Sequence, residues 1–348
     1  MNGKNPAKLK NKIVISAIGT GGHYFPAIIV AKELVQRGAE VIVLVRKGYH
    51  EDKVAQMYGL KTFAVKARAF YGKSVFNKLF AILLFAYSSV ILLSLIKNAR
   101  GIAFGGFGTL PLVVACLFMR RDFFLFEPNR KPGRATKFFA SKARIVFLGL
   151  PLLDNIDGRS LLTGVPIRSG FKDTMSKKLS KKGTSNTILF LGGSGGSYMV
   201  NKLALEMQEV VPDTYRLVII SGRRDYDWVS EKANGRTKVI PFTFTPWFEI
   251  QSADAIVARA GALAGYEILA TNTPVVFIPF PYAIDDHQYH NAKYFASLGN
   301  ALVLREEQVT SKKIVEKLSE LLSKHRKKPD IIRDAEKQIA DRILGGKT

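Results

Sequence analysis

The residues best suited to chemistry in this 348-residue chain cluster around glycine-rich turns. Gly19-Thr20-Gly21-Gly22 and Gly192-Gly193-Ser194-Gly195-Gly196-Ser197 each follow a short apolar run and precede an amphipathic stretch. Backbone without side chains at a helix N-terminus lets N–H groups and the helix dipole point at a phosphate. Neither turn carries the Gly-Lys-Ser/Thr of a P-loop or a full dinucleotide fingerprint, and such turns are ordinary in α/β folds, but two of them facing one cleft would fit a diphosphate ligand. His23 directly follows the first turn. Its imidazole would sit at the carboxyl end of a sheet, as a general base or as a helix-capping residue, and the residues alone leave both open.

Two further clusters lie in the second half. Glu267 stands two turns into a helix that starts at Gly261-Ala262-Leu263-Ala264, where a carboxylate can accept from the vicinal hydroxyls of a ribose or simply face water. Asp285-Asp286-His287-Gln288-Tyr289-His290-Asn291 brings two carboxylates and two imidazoles together, but no further His or Cys completes a metal-ligand set. Gln288 and Asn291, three apart on one helical face, suit sugar hydroxyls better.

These residues need elements to hold them. The spacing predicts strand Lys12–Ile18, a helix from about Phe25 to Arg37 and strand Glu40–Arg46, then strand Ile102–Phe104, turn Gly105-Gly106-Phe107-Gly108, a helix from Pro111 to Met119 and strand Phe123–Phe126. Lys172 to Asn186 has linker composition. After it come strand Thr187–Leu191, a helix to Val211, strands Arg216–Ser221 and Ala255–Ala258, helix Leu263–Ala270, strand Val275–Phe280, helix His287–Leu298, strand Ala301–Leu304, helix Ser311–Lys324 and a helical tail Pro329–Leu344. The pattern implies an α/β protein of two Rossmann-like domains.

Charge narrows the partners. The chain has 52 Lys and Arg against 28 Asp and Glu, a net +24, on a 47% hydrophobic body, which excludes a disordered basic tail. Residues 1–171 hold 26 basic and 8 acidic side chains, so most of the excess lies in the first half and calls for an anionic partner. Cys116 is the only cysteine, so no intrachain disulfide forms. Leu79 to Ile96 is uncharged and, as a helix, about 27 Å long, just short of a roughly 30 Å hydrocarbon core. One or two domain helices with an unusually apolar face, dipping into a membrane surface, are favoured over a span.

Seven motifs occur in order: Gly19-Thr20-Gly21-Gly22-His23 with Pro26, Gly105-Gly106-Phe107 with Pro111, Glu127-x-Asn129 with Pro132-Gly133, Pro166-x-Arg168, Gly192-Gly193-Ser194 with Gly196 and Asn201, Gly261-Ala262-Leu263 with Glu267, and Asp285-Asp286-His287-Gln288 with Asn291. Together, over nearly the whole chain, they resemble the MurG family of UDP-N-acetylglucosamine–undecaprenyl-pyrophosphoryl-N-acetylmuramoyl-pentapeptide N-acetylglucosaminyltransferases. The resemblance implies a GT-B glycosyltransferase, inverting, with no metal or other cofactor, peripheral at the cytoplasmic face of the bacterial membrane. The donor would be UDP-N-acetylglucosamine, the acceptor lipid I and the product lipid II. Residues 1–170 would bind acceptor and anionic membrane, residues 171–328 the UDP-sugar, and a helix within 329–348 would pack back on the first domain. Nucleic acid is not an expected partner.

By the same resemblance, Glu267 would hold the ribose, Ser194 with Ala262, Leu263 and Ala264 the diphosphate, and Phe242 with the Thr243 backbone the uracil. Thr20, Gly21, Gly22, Asn129, Arg168, Gln288 and Asn291 would complete the donor site. Gly19, Gly21, Gly105 and Gly106 would receive the acceptor diphosphate, and His23 would be the candidate base or part of that acceptor site. The chain departs from the family pattern at Ile18, Phe107, Phe126, Pro128, Val165 and Ala264. Alternatives at this stage are a glycosyltransferase acting on diacylglycerol, a non-catalytic membrane-bound scaffold and a nucleic-acid-binding protein.

Overall fold

The computed structural model describes residues 11–66, 75–106, 108–172, 186–323 and 328–345. Phe107, Lys73, Lys324, most of the lysine-rich linker and both chain ends lie outside the described residues. Within the first half, β1 (Lys12–Ser16), α1 (Gly21–Gln36), β2 (Glu40–Val45), α2 (His50–Met57), β3 (Thr62–Ala64), α3 (Val75–Ile96), β4 (Ala99–Ala103), α4 (Thr109–Phe118), β5 (Phe123–Glu127), α5 (Arg134–Phe139), β6 (Ile145–Leu148) and β7 (Ser160–Leu162) follow in order. The second half runs β8 (Asn186–Leu191), α6 (Tyr198–Met207), β9 (Tyr215–Ile220), α7 (Tyr226–Lys232), β10 (Thr237–Ile240), α8 (Trp247–Ser252), β11 (Ala255–Ala258), α9 (Ala262–Thr271), β12 (Val275–Phe277), α10 (His287–Ser297), β13 (Ala301–Val303), α11 (Ser311–Ser323) and α12 (Ala335–Leu344).

The strands form two sheets, β3-β2-β1-β4-β5-β6-β7 and β10-β9-β8-β11-β12-β13, with parallel pairing throughout. Helices on both faces bury strands such as Ile13-Val14-Ile15 from either side, which is why they read as unbroken apolar runs. Strand order reverses between β1 and β4 in one sheet and between β8 and β11 in the other. Crevices open at the carboxyl ends of strands at such reversals. All the glycine turns singled out by sequence follow β1, β4, β8 or β11.

Two sequence expectations change, the start of α1 and the extent of the tail helix. α1 begins at Gly21, not Phe25, because Thr20 caps it and His23 takes the place a glutamate fills in an ordinary capping box. The tail is helical only from Ala335. Residues 328–334 are non-helical, with the Ile332 carbonyl accepting from Tyr266 Oη at 2.9 Å and the Ala270 carbonyl accepting from Arg333 at 3.2 Å. The run Leu79–Ile96 falls within the single helix α3. Phe85, Ser88, Leu92 and Ile96 are buried at helical spacing, whereas Ile82, Leu83, Tyr87 and Val90 are 53–65% exposed. Among the described residues no helix is long and apolar enough to cross a membrane.

One apolar cluster runs through both halves, joining Ile28 and Phe104 to Leu189, Ile268 and Ile339. α12 lies against α1, with an Arg37–Asp341 ion pair and Arg100 donating to the Ile343 carbonyl. In α9, a Cβ at Gly265 would collide with the Phe295 ring of α10. Helix propensity favours Ala there by about 1 kcal/mol, but overpacking costs about 1–3 kcal/mol. Gly265→Ala is therefore expected to lower the urea unfolding midpoint, and a raised midpoint would show that α9 and α10 separate freely.

Candidate active site

A cavity of about 350 Å³ lies between the two sheets, walled by the start of α1 (Thr20, Gly21, Gly22, His23), the loop Gly192–Gly195, the start of α9 (Gly261–Ala264), the start of α10 (His287, Gln288) and Asn129, Arg168, Phe242, Thr243, Arg259 and Glu267. Three helix N-termini and the loop feeding α6 thus converge on one space. Their unpaired N–H groups and dipoles favour an anion there. The halves approach closely, since a Cβ on Gly21 would lie 3.0 Å from Cβ of Ser194.

Glu267 and Arg168 form a bidentate ion pair across the cleft, Nε to Oε1 at 2.8 Å and Nη2 to Oε2 at 2.6 Å, with both side chains buried. Arg168 also donates to the Phe244 carbonyl at 3.4 Å and stacks over Phe25 at 4.5 Å. Arg168, expected beside the sugar or diphosphate, lines the cavity while donating to Glu267, because a buried carboxylate needs a partner. Each carboxylate oxygen keeps a lone pair, so Glu267 still has acceptors to offer.

Asn291 is also placed differently from the expectation. It is fully buried and does not line the cavity. Its Oδ1 accepts from the Arg130 backbone N–H at 3.1 Å, and its Nδ2 donates to Asn129 Oδ1 at 3.0 Å and to the Ala260 carbonyl at 3.3 Å. The side chain fastens the halves together, leaving it no free donor for a sugar. Gln288 does line the cavity, its Oε1 accepting from the Phe280 N–H at 3.0 Å. Phe242 stacks on His50 from the opposite half, with ring centroids 5.7 Å apart, while the Arg223 guanidinium lies 5.4 Å from its centroid.

His23 is packed among glycines. A Cβ on Gly19 would lie 2.8 Å from its Nδ1, and one on Gly105 would lie 3.2 Å from its Cδ2, so only glycine fits beside the ring. Gly105 and Gly106 adopt φ of +76° and +69°, conformations glycine takes without strain. They border His23 and do not line the cavity. The Thr20 backbone N–H donates to Nδ1 at 3.3 Å, and the Thr20 hydroxyl lies 3.1 Å from the same nitrogen. A backbone N–H only donates, so Nδ1 is an acceptor and the neutral ring carries its proton on Nε2. Burial, and then the charge of His287, push its pKa from 6.5 down to about 4.

Sequence reasoning missed His50, Arg223 and Arg259 and weighed His287 only as a metal ligand. Arg259 is buried, donates to the carbonyls of Ile278 and Pro279 and to Ser197 Oγ, and pairs with Glu306 at 2.5 Å. It braces the glycine loop against β12. Glu127, at the end of β5, accepts from the N–H groups of Asn129 and Gly133 and from Thr136 Oγ1, which shapes the loop that carries Asn129. Among the described residues, no three His, Cys, Asp or Glu side chains are placed to hold a metal ion.

The depressed pKa of His23 has a stability consequence. The unfolded ring binds a proton below about 6.5 and the folded ring only below about 4, so folding loses stability as pH falls through that window. The full shift corresponds to about 3 kcal/mol, and partial solvent access reduces it to about 2 kcal/mol. Urea titrations of the parent and His23→Gln at pH 7.5 and 4.5 are expected to show the parent losing about 2 kcal/mol more between the two. Equal losses would mean that the ring is solvated.

Comparison with known proteins agrees with this geometry. Residues 13–148 match the glycosyltransferase family 28 N-terminal domain and residues 187–343 its C-terminal domain. Relatives from Aquifex aeolicus (27% identical, covering 96% of this chain and 100% of the relative), Desulfotalea psychrophila (30%, 88% and 87%) and Elusimicrobium minutum (31%, 83% and 84%) are each named UDP-N-acetylglucosamine–N-acetylmuramyl-(pentapeptide) pyrophosphoryl-undecaprenol N-acetylglucosamine transferase. The crystal structure of Acinetobacter baumannii MurG superposes with a TM-score of 0.74 at 21% identity, covering 96% of this chain and 99% of that one. With both domains of family 28 in order and relatives at 30% identity or more matched over more than four fifths of their length, the chain belongs to the MurG family of GT-B glycosyltransferases.

Proposed function

We propose that this enzyme transfers N-acetylglucosamine from UDP-N-acetylglucosamine to undecaprenyl-pyrophosphoryl-N-acetylmuramoyl-pentapeptide, lipid I, making the lipid II used in peptidoglycan synthesis. The observation that carries the reading is the convergence of three helix N-termini and a glycine loop on a cavity whose one carboxylate, Glu267, is locked in place with lone pairs to spare. That arrangement suits a nucleoside diphosphate: N–H groups at Ser194 and Ala262–Ala264 for the phosphates, Glu267 for the ribose, and Phe242 with Thr243 for the base. Gln288 faces the sugar. In an inverting displacement the acceptor oxygen attacks the anomeric carbon as UDP leaves, and the helix starts stabilise the charge that builds on the diphosphate.

In this reading residues 1–170 receive the acceptor, with Gly19, Gly21, Gly105 and Gly106 near its diphosphate, and residues 171–328 bind the donor. The surface of the first half supports docking at the cytoplasmic face of a membrane. Ile82, Leu83, Tyr87 and Val90 of α3 are exposed, as are Val114 and Phe118 of the adjoining α4, on the half that carries most of the excess positive charge. Each basic residue near an anionic surface adds up to about 1 kcal/mol.

Two measurements test the reading. With a soluble lipid I analogue, UDP-N-acetylglucosamine is expected to serve as donor well ahead of UDP-glucose; transfer to diacylglycerol instead would overturn it. Glu267→Gln is expected to weaken UDP binding about 10–100-fold, with 2′,3′-dideoxy-UDP losing far less. Equal losses for both ligands would take Glu267 off the ribose. For the membrane surface, Ile82→Asp with Val90→Asp is expected to reduce sedimentation with phosphatidylglycerol vesicles while leaving UDP affinity unchanged, and undiminished sedimentation would move the docking face elsewhere.

A further inference from the structure

Two imidazoles face the cavity, and the structure gives them opposite proton arrangements. His287 opens α10, and its Nδ1 lies 2.9 Å from the Ile284 carbonyl. A carbonyl oxygen only accepts, so Nδ1 of His287 carries the proton and Nε2 presents a lone pair. In His23 the N–H of Thr20 occupies Nδ1, and the proton sits on Nε2. That Nε2 edge lies against the Gly105-Gly106 turn, 3.4 Å from where a Gly105 Cβ would stand. One ring is thus an acceptor and the other a donor.

The geometry of His287 is built by its approach. Asp285 and Asp286 both take left-handed conformations, with φ of +54° and +51°, and Arg305 holds Asp286 at 3.1 Å. Two consecutive non-glycine residues in this region cost energy, and the reversal they make brings the Ile284 carbonyl onto the ring of His287. Other cavity-lining groups are occupied: Glu267 is locked on Arg168, and Arg259 is a cation bound to Glu306. Outside the cavity wall, Glu127 fills both oxygens with donors from its own loop.

Resting on the transferase reading above, we infer that His287, through Nε2, is the general base that removes the proton from the acceptor hydroxyl, while His23 donates from Nε2–H to an oxygen of the acceptor diphosphate. As the new bond forms between the acceptor oxygen and the anomeric carbon, the bond from that carbon to the UDP oxygen breaks. The hydroxyl proton passes to His287, UDP departs with the electron pair, and the imidazolium later returns its proton to water. Because His23 stays neutral, with its pKa near 4, the imidazolium at His287 meets no second cation across the cleft.

The test uses the full chain in two independent readouts. In transfer to a soluble lipid I analogue, His287→Gln is expected to lower kcat at least about 100-fold with little change in KM for the donor, and added imidazole restores turnover to His287→Ala. His23→Ala is expected to raise KM for the acceptor, and His23→Gln, which keeps an N–H, to restore part of that affinity. His290→Gln, one turn further along α10, behaves as the parent. Nitrogen-15 NMR of the imidazoles reads the tautomers without any acceptor, expected as Nδ1–H for His287 and Nε2–H for His23. Near-parental kcat for His287→Gln, imidazole rescue of His23→Ala instead of His287→Ala, or an Nε2–H tautomer at His287 would overturn the assignment. Absence of transfer by the parent enzyme, with the tautomers as stated, would count against the transferase reading and not against the division between the rings.

Discussion

In a parallel sheet every strand runs the same way, so every connection must leave from one edge and begin its helix there. That constraint governs this molecule. The strands of both sheets pair in parallel and both sheets reverse order beside their first strand, so helix N-termini gather at each reversal. When the two edges face each other, α1 from one half meets α9, α10 and the loop into α6 from the other. The cavity is a consequence of that meeting. Its anion-binding character comes from backbone alone, and cations such as Arg168 and Arg259 are left to organise the walls. Glycine is required where the approach is closest, as at Gly21 against Ser194.

The seam that sets this distance is polar and specific. Arg168 on Glu267, Asn291 on Asn129 and the Arg130 backbone, and α12 along α1 fasten the halves together. A buried ion pair is only weakly stabilising in net terms, because desolvation offsets attraction, but breaking it is costly. Such a contact favours one relative position of the halves over nearby ones. It fixes the carboxylate and the cleft width together, so the position of Glu267 and the spacing of the halves depend on the same two side chains.

Much of this was legible in the residues, and what was not had local physical causes. The glycine turns and the paired βα rhythm were readable because tight turns and apolar runs leave compositional marks. The start of α1 was hidden because His23 substitutes for the glutamate of a capping box, and Gly-Gly argues against a helix by propensity. β6 and β7 went unmarked since Ile145–Leu148 is short and Ser160–Leu162 is an exposed edge. The amide of Asn291 suggests a sugar contact and the family resemblance places Arg168 at the ligand, but neither reading shows the partners that tertiary contacts supply. The carbonyl beside His287 depends on two aspartates in left-handed conformations, which no periodicity reports.

The charge balance of the cleft ties these features together. A departing diphosphate needs positive potential, yet two histidines, two arginines and several helix N-termini would repel one another if all were charged. The structure resolves this by neutralising each arginine with a carboxylate, Glu267 or Glu306, and by placing His23 at the positive end of α1, where burial also keeps it unprotonated. The remaining positive potential then resides in backbone N–H groups, which cannot be titrated or displaced. Such fixed dipoles need no reorganisation as the leaving group gains charge, and they leave a single imidazole free to accept a proton.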